Sequence, residues 1–377
     1  MYEHLQKSLE KKKQENALRR LSTHNHLIDF SSNDYLGLAQ SLSLRNTIEE
    51  KYNNYRGRLN GSTGSRLLSG NDNFVQNTET QLADFFQSEA ALIFNSGYSA
   101  NLSLFSSIPQ KGDTIIYDER IHASVKDGAR LSLANRFSFK HNNPDDLIKK
   151  INAASGKVYV AIESVYSMDG DISPVVEIQK ICESSGAFLI VDEAHSTGIW
   201  GSDGSGMCCM HNLQDKVFAR VHTFGKAMGV HGACVAGGKV LIDYLINFAR
   251  PFIYTTALSP HSVASISASC SMMKHIQHER EKLFHNIQVY RTQICNTGIS
   301  QFASLHHTPI QIIQLEGNTR VKEVSKFLNE SGYNVRPILS PTVPKNSERL
   351  RICIHSFNTI EQIENLVKAL AEKIFHI

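Results

Sequence analysis

A lysine carried by an apolar strand into a turn bounded by glycines is the residue of this chain best suited to covalent chemistry. The stretch Val221-His222-Thr223-Phe224-Gly225-Lys226-Ala227-Met228-Gly229 follows an apolar run over residues 217–221. Small neighbours let a ligand approach the backbone, and burial lowers a lysine pKa, freeing the lone pair that condenses with an aldehyde. The same pattern fits a solvated loop lysine, so the reading depends on its company. A second apolar strand, residues 188–191, ends in Asp192-Glu193-Ala194-His195, and a third, 158–162, ends at Glu163. The strand at 90–94 runs into Asn95-Ser96-Gly97-Tyr98 and a helix start, and the loop after a strand at 114–117 carries His122.

One cofactor asks for this set. Pyridoxal 5'-phosphate (PLP) needs an aldehyde partner, a counter-ion for its ring nitrogen, a phosphate cup and a group on the ring face. Lys226 supplies the imine, Asp192 holds the ring nitrogen protonated, and His122 stacks on the ring. His195, three residues beyond the aspartate, reaches the ring hydroxyl. Ser96, Gly97 and Tyr98 form the cup, since a small polar turn at a helix N-terminus offers backbone N–H groups to phosphate.

The elements that must position these groups alternate strand and helix between about residues 90 and 240, which implies a mostly parallel sheet covered on both faces. Ligands of such sheets bind beyond the carboxyl ends of the strands, where Ser96, His122, Glu163, Asp192, His195 and Lys226 all fall. Three segments are expected: an N-terminal helical arm and strand (1–40), a large PLP-binding domain (41–296), and a small α+β domain (297–377) after the composition change at Thr297-Gly298. The arm reads as an amphipathic helix over 2–21, closed by Arg19 and Arg20, which either complement the helix dipole or meet an anionic substrate. A loop at 57–70, with four glycines and the arginines Arg58 and Arg66, is expected to cradle an anion although it lacks the Lys-[Ser/Thr] ending of a P-loop. Residues 261–295 read as one long helical region.

Composition narrows the classes. A net charge of +3 over 377 residues argues against a nucleic-acid surface. Seven scattered cysteines lack a paired framework or Cys-x-x-Cys spacing, which fits a reducing cytoplasm. No apolar run reaches membrane-spanning length.

Beyond these physical signals, the chain resembles the PLP-dependent α-oxoamine synthases of the aspartate-aminotransferase fold (fold type I). The resemblance spans nearly the whole chain. It rests on Phe30-Ser31-Ser32-Asn33-Asp34-Tyr35-Leu36-Gly37-Leu38, Ser96-Gly97-Tyr98-Ser99-Ala100-Asn101, His122-Ala123-Ser124, Ser167-Met168-Asp169-Gly170-Asp171, Asp192-Glu193-Ala194-His195-Ser196-Thr197-Gly198, Thr223-Phe224-Gly225-Lys226, Pro341-Thr342-Val343-Pro344 and Arg349-Leu350-Arg351. It implies an acyltransferase that joins an amino acid to an acyl-CoA or acyl-ACP thioester with loss of CO2. The short N-terminus leans to the branch that joins L-alanine to a pimeloyl thioester in biotin synthesis, with glycine C-acetyltransferase the runner-up. It also implies Lys226, His122 and Asp192 as catalytic residues, and Ser167 and Thr223 as further cofactor contacts. Arg19, Asn33, Thr342 and Arg351 fall on the substrate side, Arg351 as the carboxylate clamp, and Thr255 and Thr256 reach the phosphate of a neighbouring subunit in a homodimer. Ser65-Arg66-Leu67 departs from the Gly-His some members carry, which leaves the acyl contacts open.

Two other classes compete. Asp192-Glu193-Ala194-His195 matches the metal-binding box of a DEAH helicase, but no P-loop precedes it. A catalytically silent scaffold of the same fold is opposed by the joint presence of Lys226, Asp192, His122 and His195.

Overall fold

The structure, a computed structural model, describes residues 1–376 except Ser22 and Asn25. It divides into two compact units, one made of Gly37–Tyr166 and Ile172–Gln277, the other of Met1–Leu36, Ser167–Asp171 and His278–Ile377.

The larger unit is built on a seven-stranded sheet in the spatial order Ala90–Phe94, Ala233–Gly237, Ala219–Thr223, Phe188–Asp192, Val158–Glu163, Thr114–Asp118, Asn135–Phe139. Every pairing is parallel except the two made by Ala233–Gly237. Alternation along the strands fills two separate cores. Ile115, Ala161 and Ile190 pack with Leu104, Phe105 and Val125 on one face, while Ile116, Val160, Ile162 and Val191 pack with Leu147, Ile151 and Ile178 on the other. Each fully buried aliphatic side chain contributes roughly 1.5–3 kcal/mol relative to exposure. The expected parallel sheet is therefore present, with its two faces covered by helices.

The Ala219–Thr223 strand carries a buried histidine to which the sequence assigns no role. The His222 ring stacks on Phe86 at 3.6 Å between centroids and 12° between planes. The Thr197 hydroxyl donates its proton to Glu193 O at 2.7 Å, so it accepts from His222 Nδ1–H at 2.8 Å. Nε2 faces no hydrogen-bond partner. Burial pushes the His222 pKa well below 6.5, and the nearby Arg220 cation pushes it the same way. Between that lowered value and 6.5 the unfolded chain binds more protons than the folded one. The contribution to stability is thus complete above pH 6.5 and declines as pH falls through the folded pKa. Thermal unfolding of the holoenzyme is expected to show Tm dropping from pH 7.5 to 5.5, with a shallower drop in His222→Gln; equal slopes for the two proteins would refute the assignment.

The smaller unit holds a four-stranded antiparallel sheet, ordered Arg336–Ile338, Arg349–Cys353, Ile310–Gln314, Ala303–Ser304, with helices Asn318–Glu330 and Ile360–Phe375. Thr359 and Gln362 form a reciprocal capping box at the start of the last helix. The expected change of domain at 297 falls instead at the start of the Gln277–Asn296 helix. Leu283, Asn286, Ile287, Tyr290 and Ile294 of that helix are buried, and Asn286 Nδ2 bonds His355 O and Asn358 O at 2.9 Å, which ties it to this unit. The long helical region is likewise two helices, Pro260–Met272 and Gln277–Asn296, separated by a tight turn at 273–275.

The arm helix is shorter than its pattern suggests. It covers Glu3–Gln14 with no buried residue, and Asn16, in the left-handed region at φ 51°, turns the chain away. Arg19 and Arg20 lie beyond it and do not complement its dipole.

Candidate active site

Lys226 opens the turn that follows the Ala219–Thr223 strand and is half-buried. The turn is closed by Phe224 N–H to Gly232 O at 2.9 Å, Val230 N–H to Phe224 O at 2.9 Å and Gly229 N–H to Lys226 O at 2.8 Å. Gly229 sits at φ 67°, and a Cβ there would lie 2.5 Å from Ala39 N, so no other residue fits without displacing backbone. At Gly225 the nearest atom to such a Cβ is Val230 O at 3.5 Å, which leaves open space beside the lysine.

Lys226 Nζ lies 2.8 Å from His195 Nε2. His195 is held by the tight turn that follows the Phe188–Asp192 strand and is 4% exposed. Asp192, at the end of that strand, accepts from Ala194 N at Oδ1 (2.9 Å) and from Asn101 Nδ2 at Oδ2 (2.7 Å). Glu163 is its register partner at the end of the neighbouring strand and is buried beside it. Thr223 donates to Ala194 O at 3.3 Å, which joins the lysine strand to the aspartate turn.

The helix Gly97–Ser107 supplies the cup. Its N-cap, Ser96, accepts from Ser99 N at 3.2 Å, and among the described residues the N–H groups of Gly97 and Tyr98 meet no acceptor. Those are the orphan donors of a helix start, where an anion is favoured. A Cβ on Gly97 would lie 2.4 Å from Thr223 Cγ2, so glycine is required where this helix meets the lysine strand.

His122 caps the Ala123–Leu131 helix by accepting from Ser124 N at 3.2 Å, and its ring meets Tyr98 edge-on at 6.4 Å. Its pKa is lowered, chiefly because the protein displaces water around it; Asp192 opposes that shift and Lys226 adds to it. Tyr98, whose hydroxyl bonds Asp127, has its pKa raised chiefly by that bond. Asn95 Nδ2 donates to Thr256 O at 3.0 Å and approaches Thr255 Oγ1 at 3.5 Å.

The remaining candidates gather in the smaller unit. Arg351 is 8% exposed and donates from Nε to Ser167 O at 2.7 Å, from Nη1 to Cys353 Sγ at 2.9 Å and from Nη2 to Asn33 Oδ1 at 2.9 Å. One N–H on Nη1 has no other acceptor among the described residues, and the second N–H on Nη2 has only a long 3.5 Å contact with the Tyr35 hydroxyl. An arginine held this way retains two N–H groups for a carboxylate. Arg19 Nη2 donates to Thr342 Oγ1 at 2.8 Å across 323 positions of sequence.

Two sequence readings are corrected by side-chain partners. The loop arginines are not an anion cradle: Arg66 makes a bidentate pair with Glu79 at 2.7 and 2.8 Å, and Arg58 donates to Ser69 O. Glu193 cannot serve a helicase-type metal box, because its fully buried carboxylate accepts from Ser196 and from Met207 N and Cys208 N at 2.8 Å. No cluster of potential metal ligands occurs among the described residues. Asn101 and Ser124 carry no role in the sequence reading, although both fall inside the motifs Ser96-Gly97-Tyr98-Ser99-Ala100-Asn101 and His122-Ala123-Ser124.

The donor set fits PLP: an amine beside a histidine, a nearly buried carboxylate held by two donors, a helix start with spare N–H groups, and a histidine at the cup. Comparison with known proteins agrees. The profile of the family Aminotransferase class I and II matches residues 25–370. An 8-amino-7-oxononanoate synthase of Emericella nidulans is 39% identical over 365 residues, covering 91% of this chain and 88% of that protein. Among solved structures, a serine palmitoyltransferase from S. paucimobilis with bound PLP aligns at TM-score 0.91 and 25% identity over 100% of this chain and 98% of that one. The 8-amino-7-oxononanoate synthase of Francisella tularensis aligns at TM-score 0.80 and 30% identity, covering 93% and 98%. This chain belongs to the class I and II aminotransferase family, among the PLP-dependent α-oxoamine synthases whose curated members include the 8-amino-7-oxononanoate synthases.

Proposed function

We propose that this enzyme condenses L-alanine with a pimeloyl thioester, on CoA or acyl carrier protein, to give 8-amino-7-oxononanoate, free thiol and CO2 for biotin synthesis. The observation that carries the reading is the Lys226–His195 contact of 2.8 Å on the same strand ends as the doubly held Asp192 carboxylate, in a chain 39% identical to a synthase of that name.

PLP, when bound, supplies an electron-withdrawing ring that takes up the electron pair released at the amino-acid Cα. Everything else falls to the chain. Lys226 Nζ would hold the cofactor through its aldehyde and would move the proton on and off Cα. His195 holds that nitrogen in place by the contact already described. Asp192 keeps a proton on the facing ring nitrogen, and the N–H groups of Gly97 and Tyr98 with Ser96 take the phosphate. Glu163, Ser167 and Thr223 belong to the cofactor shell. His122 would lie over the cofactor and donate a hydrogen bond to the oxyanion that develops at the thioester carbon. Arg351, with Asn33 beside it, clamps the alanine carboxylate, and Arg19 with Thr342 meets the acyl substrate.

The discriminating experiment is a panel of alanine, glycine and serine against pimeloyl, acetyl, succinyl and palmitoyl thioesters. Alanine with a pimeloyl thioester should exceed every other pair in kcat/KM, the ratio that defines specificity. The TM-score of 0.91 to a serine palmitoyltransferase makes serine with palmitoyl thioester the second reading; a higher kcat/KM for that pair, or for glycine with acetyl-CoA, would overturn the first.

The active unit is a homodimer in the cytoplasm. Seven free cysteines suit a reducing compartment, and among the described residues no helix is long and apolar enough to cross a membrane. Leu67, Leu68 and Tyr254 are 52%, 85% and 73% exposed. Ala257 N–H to Gly64 O at 3.0 Å joins the two segments that carry them. Exposed apolar groups on these two joined segments favour a second copy as cover, and Thr255 and Thr256 would then complete the partner's phosphate site. Mixing Lys226→Ala subunits with subunits altered at both threonines should restore activity through one intact site per mixed dimer. Full activity in a monomeric sample would refute the shared site.

A further inference from the structure

Two side chains, Asn101 and Ser124, connect the Asp192 carboxylate to the His122 ring, and the donor at every step is fixed. An ionised carboxylate only accepts hydrogen bonds. Asp192 Oδ2 lies 2.7 Å from the Asn101 side chain, so Asn101 must present its NH2 there; the flipped amide would set oxygen against oxygen. The second hydrogen on the same Nδ2 goes to Ser124 Oγ at 3.1 Å. Ser124 is fully buried, and its hydroxyl, which can accept from Asn101 and donate at once, gives its proton to His122 Nδ1, 2.8 Å away, because that nitrogen is an acceptor. The Ser124 backbone N–H donates to the same nitrogen at 3.2 Å. A ring nitrogen that receives two donors has no room for a hydrogen of its own.

Helix packing makes the chain possible. Asn101 lies on the Gly97–Ser107 helix and Ser124 on Ala123–Leu131. At Gly128 an added Cβ would lie 2.9 Å from Phe105 Cβ and 3.3 Å from Asn101 O, so the two helices approach as closely as glycine allows. Asn101 Oδ1 is left buried without a partner, a cost the arrangement bears in order to point both N–H bonds at Asp192 and Ser124.

We propose that Asn101 and Ser124 are positioning residues that lock His122 as the neutral Nε2–H tautomer, with Asp192 setting the direction of the whole chain. His122 then presents a hydrogen-bond donor from Nε2 and cannot act there as a base. Asp192 and Asp127 favour a proton on the ring, whereas loss of water, Lys226 and Lys126 oppose it. The proposal specifies the state of His122 within the PLP reading given above and rests on it.

The test is nitrogen NMR of holoenzyme labelled with 15N in its histidine rings, with His122→Gln identifying the resonance. His122 should carry its hydrogen on Nε2 at pH 7. Ser124→Ala should raise its pKa by roughly half to one pH unit, because one donor to the bare nitrogen is gone, while Ser124→Thr, which keeps the hydroxyl, should restore it. Asn101→Ala should lower PLP affinity about tenfold or more through loss of a bond to a charged group. A hydrogen on Nδ1 in the wild type, or an unmoved His122 pKa in Ser124→Ala, overturns the proposal. If His122 is Nε2–H but the protein never binds PLP, the cofactor reading fails and the tautomer lock stands; if PLP binds and the hydrogen is on Nδ1, the lock alone fails.

Discussion

Lys226→Ala is expected to lower kcat/KM by about four orders of magnitude or more, because one residue serves as both the covalent attachment point and the proton carrier. The fold should survive. The turn that holds Lys226 is closed by backbone bonds from Phe224, Gly229 and Val230, none of which uses the lysine side chain. PLP should remain bound at reduced affinity, since Asp192, the start of the Gly97–Ser107 helix and His122 are untouched. In the wild type, borohydride reduction followed by peptide mass spectrometry should find the pyridoxyl group on Lys226. Finding it on Lys126 would be informative, because burial lowers that lysine's pKa. Lys126 Nζ, however, is committed to Glu119 O at 2.7 Å, while Lys226 Nζ meets an imidazole that can exchange a proton with it. A pyridoxyl group on any lysine but Lys226 refutes the assignment.

Where the sequence was legible and where it was not follows from the physics of each element. Strands such as Ala90–Phe94 and helices such as Val175–Ser185 fall where their apolar pattern puts them, because both sheet faces are covered and the burial requirement is strict. The arm failed for the opposite reason. With no buried residue on Glu3–Gln14, nothing pins the helix to its leucine pattern, and it ends before Leu18. The domain change was misplaced because Thr297-Gly298 only terminates the Gln277–Asn296 helix, whereas the allegiance of that helix is set by Asn286 and by contacts with residues near 355 that no local window contains.

Residues of the site were legible one at a time at strand ends, but their partners were not. Pairs such as Arg19 with Thr342 and Arg351 with Asn33 are separated by more than 300 positions, and only the family motifs placed them together in expectation. The loop arginines Arg58 and Arg66 illustrate the converse: glycines and cations in one stretch suggest an anion, yet Glu79, thirteen residues on, had already claimed Arg66.

Asp192→Asn should weaken PLP binding by about ten- to hundredfold, the range for removing a hydrogen bond to a charged partner. It should lower kcat by at least another factor of about a hundred with PLP saturating, because a neutral amide does not keep the ring nitrogen protonated. The substitution is nearly isosteric, so lost packing does not explain such a result. Its second consequence is local. The new amide can still accept from Ala194 N through its oxygen, but its NH2 then faces Asn101 Nδ2, which stands 2.7 Å from Oδ2 in the wild type. Two donors cannot share that gap. Asn101 relieves the conflict by flipping, which pairs its otherwise unpartnered Oδ1 with residue 192 and turns the same oxygen toward Ser124. The Ser124 proton then goes to Asn101 rather than to His122 Nδ1, which keeps only the Ser124 backbone N–H as donor, and the hold on the Nε2–H tautomer weakens. Equilibrium dialysis with PLP, single-turnover kinetics with alanine and the thioester, and the His122 nitrogen resonances together read all three effects. Unchanged kcat at saturating PLP would remove Asp192 from the ring nitrogen. A kcat that falls while the His122 tautomer stays fixed would leave the catalytic assignment standing and break the link from the carboxylate to the histidine.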